Sequence, residues 1–255
     1  MKKVVLSMFV ATLVFVSCKN KSSENKADGL LKDSAPAITT IEEATPEYLY
    51  VTAASGLSLR EYNNLKSHRV AKMPYGTKVK VITQEKNLTM NVGGLEGGMN
   101  EVEFNQKKGF AFNGYLSKFF PPERGTKLKG YAEELKLYFP DVSYTESTGG
   151  IASKPSNTKL LRLPTIQWHE AFFIAKQLFD LPNEFDFPNP KGKNTQVIQF
   201  TKSQDKSWKN QLEVTRKGNQ LSKIEYLCES QKFDRTIRIQ KEGATMKILE
   251  IETIN

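Results

Sequence analysis

The sequence predicts a multidomain protein in which a small all-β barrel is followed by an α+β domain. Three observations predict this arrangement. Residues 47–121 are short β-prone runs separated by glycine and proline turns. An apolar stripe with helical spacing begins near Thr165, and further β-prone runs joined by turn residues continue to residue 255. The last two patterns are typical of a helix packed on an antiparallel β-meander, which we place in residues 126–255.

The N-terminal segment has the organisation of an export signal. Two lysines precede an apolar run over residues 4–16, which is shorter than the roughly 20 residues that a transmembrane helix needs. The chain becomes polar directly after Ser17-Cys18. We therefore predict a signal peptide over residues 1–17 that is removed from the mature protein.

The junction Phe15-Val16-Ser17-Cys18 resembles the lipobox of bacterial lipoproteins, in which a small residue precedes a cysteine that becomes lipid-modified. Phe15 stands where leucine is more usual, and the resemblance covers the leader only. It implies a lipid on Cys18 that makes the membrane a partner, because two or three acyl chains anchor a protein stably. The alternative is an ordinary signal peptide that contains a cysteine.

Lipidation at Cys18 would place the protein in the cell envelope, at the outer membrane or on the periplasmic side of a Gram-negative bacterium. Residues 18–46 then form a lipidated tether, because small and charged residues dominate them and Pro36 and Pro46 disfavour regular structure.

The protein is basic, with a formal net charge of +9 that falls to +7 once Lys2 and Lys3 leave with the signal peptide. The lysines and arginines are spread along the chain, which favours a solvated basic surface over a nucleic-acid site. We expect no nucleic-acid partner, and anionic envelope polymers remain an open alternative.

Residues 47–121 are predicted to form the small barrel. Val79 and Val81 alternate with Lys78, Lys80 and Ile82, as in a strand with one side in a core. The predicted elements, in order, are strands over residues 48–52, 57–60 and 77–82, a flexible loop over 91–98, a strand from 102, a turn at 107–109 and a last strand from 110.

Five segments of this region follow one another in the order of the landmarks of a known module. They are Tyr50-Val51-Thr52, Leu57-Ser58-Leu59-Arg60, Tyr75-Gly76-Thr77-Lys78-Val79-Lys80-Val81, Met99-Asn100-Glu101-Val102 and Gly109-Phe110-Ala111-Phe112-Asn113-Gly114-Tyr115-Leu116. Their pattern resembles the bacterial SH3-like domain (SH3b), with Met99 in place of the usual tryptophan and Glu61-Tyr62-Asn63-Asn64 in place of Ser-Gly-Pro.

The resemblance implies binding of cell-wall peptide, that is peptidoglycan, or of an envelope protein. Aromatic side chains near the loops of such a barrel can form a peptide groove, and basic side chains can meet an acidic group. The candidate ligand-binding residues are Tyr62, Tyr75, Phe112, Tyr115, Arg60 and Lys78. The alternative for Phe112 and Tyr115 is that they only pack the barrel.

The C-terminal region is predicted to contain two helices. The first spans residues 130–139 and is stopped by Pro140, and a loop covers residues 145–157. The second starts at Thr165 as N-cap and ends before Pro182. The predicted strands cover residues 195–202, 211–217, 220–229, 233–240 and 245–254, with hairpin turns at 218–219 and 241–244.

No catalytic constellation stands out. Cys228 follows apolar residues at strand spacing, which is typical of a structural cysteine, and His68 and His169 are too far apart in sequence to indicate a zinc site. We place His169 on the solvent side of its helix.

We predict no enzyme, no metal and no cofactor. Two alternatives stay open: a cell-wall hydrolase that uses carboxylates such as Glu133, Glu134 or Asp141, and a structural or assembly lipoprotein.

The leader leads to a direct test. We expect mass spectrometry of the protein purified from membranes to find Cys18 as an acylated N-terminus, because a lipobox cysteine is modified before cleavage. Cys18→Ala should abolish both the acylation and the membrane association. A mature chain with an unmodified Cys18 would contradict the lipobox interpretation.

Overall fold

A computed structural model describes residues 47–200 and 209–255. The predicted signal peptide, Cys18 and the tether lie outside these residues, as do the last two residues of the strand predicted over 195–202. The described residues are mostly β: 51% of them lie in strands, which form antiparallel sheets, and 12% lie in helices, which confirms the predicted predominance of antiparallel sheet with few helices. Within the described ranges, no helix has the length and apolar character that crossing a membrane requires.

The first sheet has seven antiparallel strands. Its members and a separate hairpin are β1 (Tyr48–Val51), β2 (Leu57–Arg60), β3 (Arg69–Met73), β4 (Lys78–Thr83), the hairpin β5 (Met90–Val92) and β6 (Leu95–Gly97), then β7 (Met99–Phe104), β8 (Lys107–Phe112) and β9 (Leu116–Ser117). The strand order is β3-β2-β8-β7-β4-β1-β9. Among the described residues no pairing joins the edge strands β3 and β9, so the predicted barrel is not a closed ring.

The strands form where side chains alternate between core and solvent. In β4, Val79 and Val81 are buried, whereas Lys78, Lys80 and Ile82 are exposed, as the sequence predicted. The burial of every second residue on one face is what fixes the register of such a strand.

Two local predictions in this region were wrong. Residues 91–98 contain the hairpin β5–β6 instead of a flexible loop. The turn predicted at residues 107–109 lies at Asn105-Gln106, both with positive φ. Gly109 is needed for another reason, because a Cβ there would lie 2.5 Å from the carbonyl oxygen of Arg60 in β2. Sequence alone does not distinguish a turn glycine from one required by close approach of two strands.

The second sheet also has seven antiparallel strands. They are β10 (Ser143–Ile151), β11 (Lys154–Leu163), β12 (Thr195–Gln199), β13 (Lys209–Lys217), β14 (Gln220–Glu229), β15 (Phe233–Glu242) and β16 (Thr245–Ile254), in the order β10-β11-β16-β15-β14-β13-β12. The strands predicted after residue 210 are confirmed. Gly218 and Asn219 both have positive φ, as a two-residue hairpin turn requires.

The predicted loop over residues 145–157 was wrong, because β10 and β11 form a hairpin there. Its small polar residues have weak strand preference, and nothing in the local sequence indicates pairing. The strand state comes from tertiary context, since β11 pairs along residues 156–163 with β16. The hairpin therefore extends the predicted five-stranded meander to seven strands.

Two helices accompany the second sheet: α1 (Leu128–Tyr138) and α2 (Trp168–Leu178), and α2 packs on β15 and β16. Thr165 was predicted as the N-cap of α2, but Gln167 occupies that position. Beyond α2, Asp180 adopts a left-handed conformation, and the N–H of Leu181 donates to the carbonyl of Lys176, which closes the helix before Pro182.

Buried apolar side chains form one hydrophobic core that runs from the first sheet through both helices to the second sheet. It includes Val51 and Val102, then Leu135 and Phe172, then Ile248. Because the core is shared, the separation of residues 47–121 and 126–255 into two domains stays a prediction.

The close approach at Gly109 leads to a stability prediction. Gly109→Ala should lower the free energy of unfolding by about 1 to 3 kcal/mol, because the added methyl group forces β8 away from β2. Urea denaturation followed by circular dichroism measures the change.

Gly130 offers the matched control. It lies in α1, and a Cβ there meets no atom within 4 Å. Gly130→Ala should therefore raise the free energy of unfolding by about 0.5 to 1 kcal/mol through helix propensity. Equal effects of the two substitutions would contradict the strand contact.

Candidate functional site

Between the first sheet and the segment that follows α2 lies a cleft of about 1080 Å³. This volume can hold a peptide of several residues, since small-molecule sites usually enclose about 300–1,000 Å³. The larger aromatic and charged side chains that line it are Arg60, Tyr75, Phe112, Tyr115, Arg124, Phe173, Lys176, Asp180, Glu184, Asp186, Phe187 and Phe200.

Four of the six binding residues predicted from the sequence lie in this lining: Arg60, Tyr75, Phe112 and Tyr115. Arg60 ends β2, and its Nη1 donates to the carbonyl oxygen of Ser67 at 2.7 Å. The rings of Phe112 and Tyr115 meet edge to face with 5.9 Å between their centroids. Phe112 is buried and also packs the core, whereas Tyr115 stays half-buried in the cleft wall.

The structure does not bring Tyr62 and Lys78 into the cleft. Tyr62 follows β2 with 61% of its surface exposed, and the adjacent Glu61 raises its pKa. Lys78 projects from β4, and its Nζ lies 4.6 Å from the ring centroid of Tyr48. Proximity to a turn in sequence does not specify at which end of the sheet a side chain emerges.

The facing wall is built by a short alternating run, Glu184-Phe185-Asp186-Phe187. Its two phenylalanines are buried and its two carboxylates are exposed. The run has the two-residue period of an extended chain lying on a core, with one side turned inward. The acidic side chains therefore face the solvent of the cleft.

Lys176 of α2 holds this acidic run in place. Its Nζ donates to the carbonyl oxygens of Asn183 at 3.0 Å and of Phe185 at 2.7 Å. Burial lowers the pKa of Lys176, with Asp186 and Glu184 acting in the opposite direction. The ammonium group is thus engaged with the protein's own backbone.

Aromatic rings connect the two walls at the inner end of the cleft. The ring of Tyr115 lies 5.8 Å from that of Phe173 in α2, and Phe173 lies 6.3 Å from Phe187, between ring centroids. Such spacings are typical of packed aromatic pairs, each of which contributes about 0.5–1.5 kcal/mol beyond area burial.

Sequence reasoning missed this second wall. Phe173 stands beside the apolar stripe of α2 instead of on it, and an aromatic residue in that position could have indicated a second contact surface. The alternation over residues 184–187 could have indicated a segment pinned to the core. Neither pattern indicates that it faces the first sheet, because that depends on how the two sheets pack.

The hairpin β5–β6 adjoins the cleft. A Cβ on Gly93 would lie 3.4 Å from the Tyr115 hydroxyl, and one on Gly94 would lie 3.1 Å from the Cα of Asn189. The Glu96 carboxylate pairs with the Lys191 ammonium at 3.1 Å. The hairpin predicted as a flexible loop thus contacts the segment after α2.

A buried carboxylate links the first sheet to the start of α2. Glu170, in the first turn of α2, accepts a hydrogen bond from the Ser117 hydroxyl of β9 at 2.6 Å and from the Thr165 hydroxyl at 2.5 Å. These hydroxyl oxygens also accept hydrogen bonds from the backbone N–H groups of Phe119 and Gln167, respectively. Each hydroxyl hydrogen is therefore free to point at Glu170, which satisfies the buried group.

The tyrosine hydroxyls of the cleft remain protonated at neutral pH. Burial raises the pKa of Tyr75 to about 12. Burial, and then the charge of Asp186, raises the pKa of Tyr115. Both hydroxyls are therefore neutral, and that of Tyr75 donates to the carbonyl oxygen of Pro122 at 3.4 Å.

The catalytic candidates considered from the sequence do not come together. Cys228 is half-buried against the core, and His68 is exposed. His169 was expected on the solvent side of α2, but it is half-buried with its ring 6.3 Å from that of Phe187, and burial lowers its pKa against the charge of Glu170. The predicted orientation of His169 was wrong because the segment after α2 folds back over the helix.

The carboxylates of the hydrolase alternative lie at the surface. Glu133 and Glu134 are exposed on α1, where Glu133 pairs loosely with Lys129 at 4.0 Å, and Asp141 is exposed after it. None of the three lines the cleft. Across residues 47–200 and 209–255, no group of three or more histidine, cysteine or acidic residues could hold a metal ion.

Comparison of the chain with protein-family models, with curated proteins and with solved structures finds no match. The chemistry of the cleft is therefore argued from its own residues.

The Glu170 contact leads to a prediction. Glu170→Ala should lower the free energy of unfolding by about 3 kcal/mol, because two buried hydroxyl donors lose a charged acceptor. Ser117→Ala should cost about 1.5 kcal/mol, and the double variant should cost less than the sum of the two. Urea denaturation of all three variants measures the coupling.

Glu134→Ala is the matched control, because Glu134 lies on the exposed side of α1. We expect this variant to change stability little. Additive effects of Ser117→Ala and Glu170→Ala would show that the two side chains do not interact in solution.

Proposed function

We propose that this protein is a non-catalytic, lipid-anchored protein of the cell envelope whose cleft binds cell-wall peptide. The N-terminal segment supports lipid anchoring, because two lysines, an apolar run over residues 4–16 and the small residue Ser17 precede Cys18 in the order of a lipoprotein signal. Anchoring through Cys18 places the folded region at the outer membrane or on the periplasmic side.

We attribute the first sheet to an SH3-like fold and the remainder to an α+β region. In support, the five landmark segments of the sequence coincide with β1, β2, β4, β7 and β8 with the turn that follows it. The helix α2 lies on the second sheet, as a helix packed on an antiparallel meander should. The open edge between β3 and β9 is the departure from a closed barrel.

The observation that carries the proposed function is the cleft itself. Four residues proposed as ligand-binding from the sequence line it, although they come from different strands and turns. Aromatic side chains with neutral hydroxyls suit peptide backbones, because they offer flat apolar contact and a hydrogen bond together. Glu133, Glu134 and Asp141, which the hydrolase alternative named, lie outside the cleft, so they do not supply a hydrolytic site there.

Cosedimentation with purified peptidoglycan tests the proposal. The probe protein is the mature chain with Cys18→Ser, which removes the lipid. Tyr115→Ala should reduce retention about tenfold or more, because truncating a central aromatic contact costs about 2 kcal/mol. Tyr62→Ala should leave retention unchanged, since Tyr62 is an exposed aromatic residue outside the cleft.

A basic protein of equal net charge serves as a second control, because a positively charged chain can adhere to an anionic polymer without a site. Retention no greater than that of this protein would refute wall binding. Crosslinking in cells that instead recovers one stable protein complex, lost in Tyr115→Ala, would assign the cleft to an envelope protein.

A further inference from the structure

The cleft has walls of opposite charge. Arg60, from β2, and Arg124, from the segment before α1, are the arginines in its lining. Asp180 and Asp186, both exposed, come from the segment after α2. The lysine on the acidic side, Lys176, already donates hydrogen bonds to two backbone carbonyl oxygens. The two walls therefore present a basic and an acidic surface to a ligand between them.

Aromatic rings also line the acidic end of the cleft. Asp186 directly precedes Phe187, and both residues line the cleft together with Tyr115. The ring centroids of Tyr115 and Phe173 lie 5.8 Å apart, and those of Phe173 and Phe187 lie 6.3 Å apart. An ammonium ion is stabilised by a carboxylate and by the faces of aromatic rings, so this end of the cleft suits a primary amine.

The basic wall suits a carboxylate. An arginine carries five N–H donors, and Arg60 uses Nη1 on the carbonyl of Ser67, which orients its guanidinium and leaves other donors available. Arg124 is exposed in the same lining. A guanidinium group can hold a carboxylate in paired hydrogen bonds.

We propose that the cleft selects a short peptide that carries both a free amine and a free carboxylate, with the amine at Asp186 and the carboxylate at Arg124. This inference rests on the proposed function, and it names the ligand chemistry of the same site. Stem peptides of the cell wall, which carry side-chain amines and terminal carboxylates, belong to this class.

Isothermal titration calorimetry with four synthetic probes tests the inference. The probes are the stem peptide alanyl-γ-glutamyl-lysyl-alanine, the form with both amines acetylated, the form with both carboxylates amidated and the form with all four groups blocked. The protein is the mature chain with Cys18→Ser. Acetylation and amidation should each weaken binding about tenfold or more, because each removes a charge-assisted hydrogen bond.

Variants assign each charge to its wall. In Asp186→Asn, the free and acetylated peptides should bind equally, while the effect of amidation persists. In Arg124→Gln, the free and amidated peptides should bind equally, while the effect of acetylation persists. Glu133→Gln and Lys78→Gln, which remove one charge of each sign outside the cleft, should leave all four affinities unchanged.

The outcomes separate this inference from the proposed function. Equal binding of the free and blocked peptides, or no binding of any probe, would overturn the zwitterion inference. If Tyr115→Ala still abolished retention on peptidoglycan in that case, the cleft would remain a wall-binding site with another selectivity. If Tyr115→Ala had no effect on retention, the proposed function would fail as well.

Discussion

The buried carboxylate of Glu170 constrains the rest of the structure. Removing a carboxylate from water is costly unless hydrogen bonds replace its hydration, and Glu170 obtains them from Ser117 on the first sheet and Thr165 before α2. Because α2 packs on the second sheet, this one side chain links both sheets. The cleft is the space that remains once this contact and the aromatic packing around Phe173 have set the distance between the walls.

The cleft is rigid, and it offers a ligand both charged and aromatic side chains. Lys176 binds the backbone of the acidic run, so the carboxylate of Asp186 is presented from a segment pinned to a helix. Tyr115 is held between Phe112 and Phe173, which limits the rotamer entropy that a ligand would have to overcome. A site held by packing and internal hydrogen bonds can discriminate ligands by charge placement as well as by size.

Charged residues of the second sheet form ion pairs with one another across neighbouring strands. Arg238 donates to Glu225 at 2.6 Å across β14 and β15, and Lys159 meets Glu250 at 2.8 Å across β11 and β16. Cross-strand pairs of this kind support strand register and reduce the free basic surface. These pairs therefore neutralise part of the positive charge of this sheet.

The sequence by itself predicted most strands and both helices correctly, because two-residue and helical periodicity are local properties, whereas the export leader stays a prediction. It also indicated four residues of the cleft, since aromatic and basic side chains near β-turns are recognisable. Tertiary structure decided the hairpin over residues 143–163, the burial of His169 and the acidic wall at Asp186. Each of these depends on which distant strand or helix becomes a neighbour, and local patterns do not specify such neighbours, as the hydrogen bond between Ser117 and Glu170, 53 residues apart in sequence, illustrates.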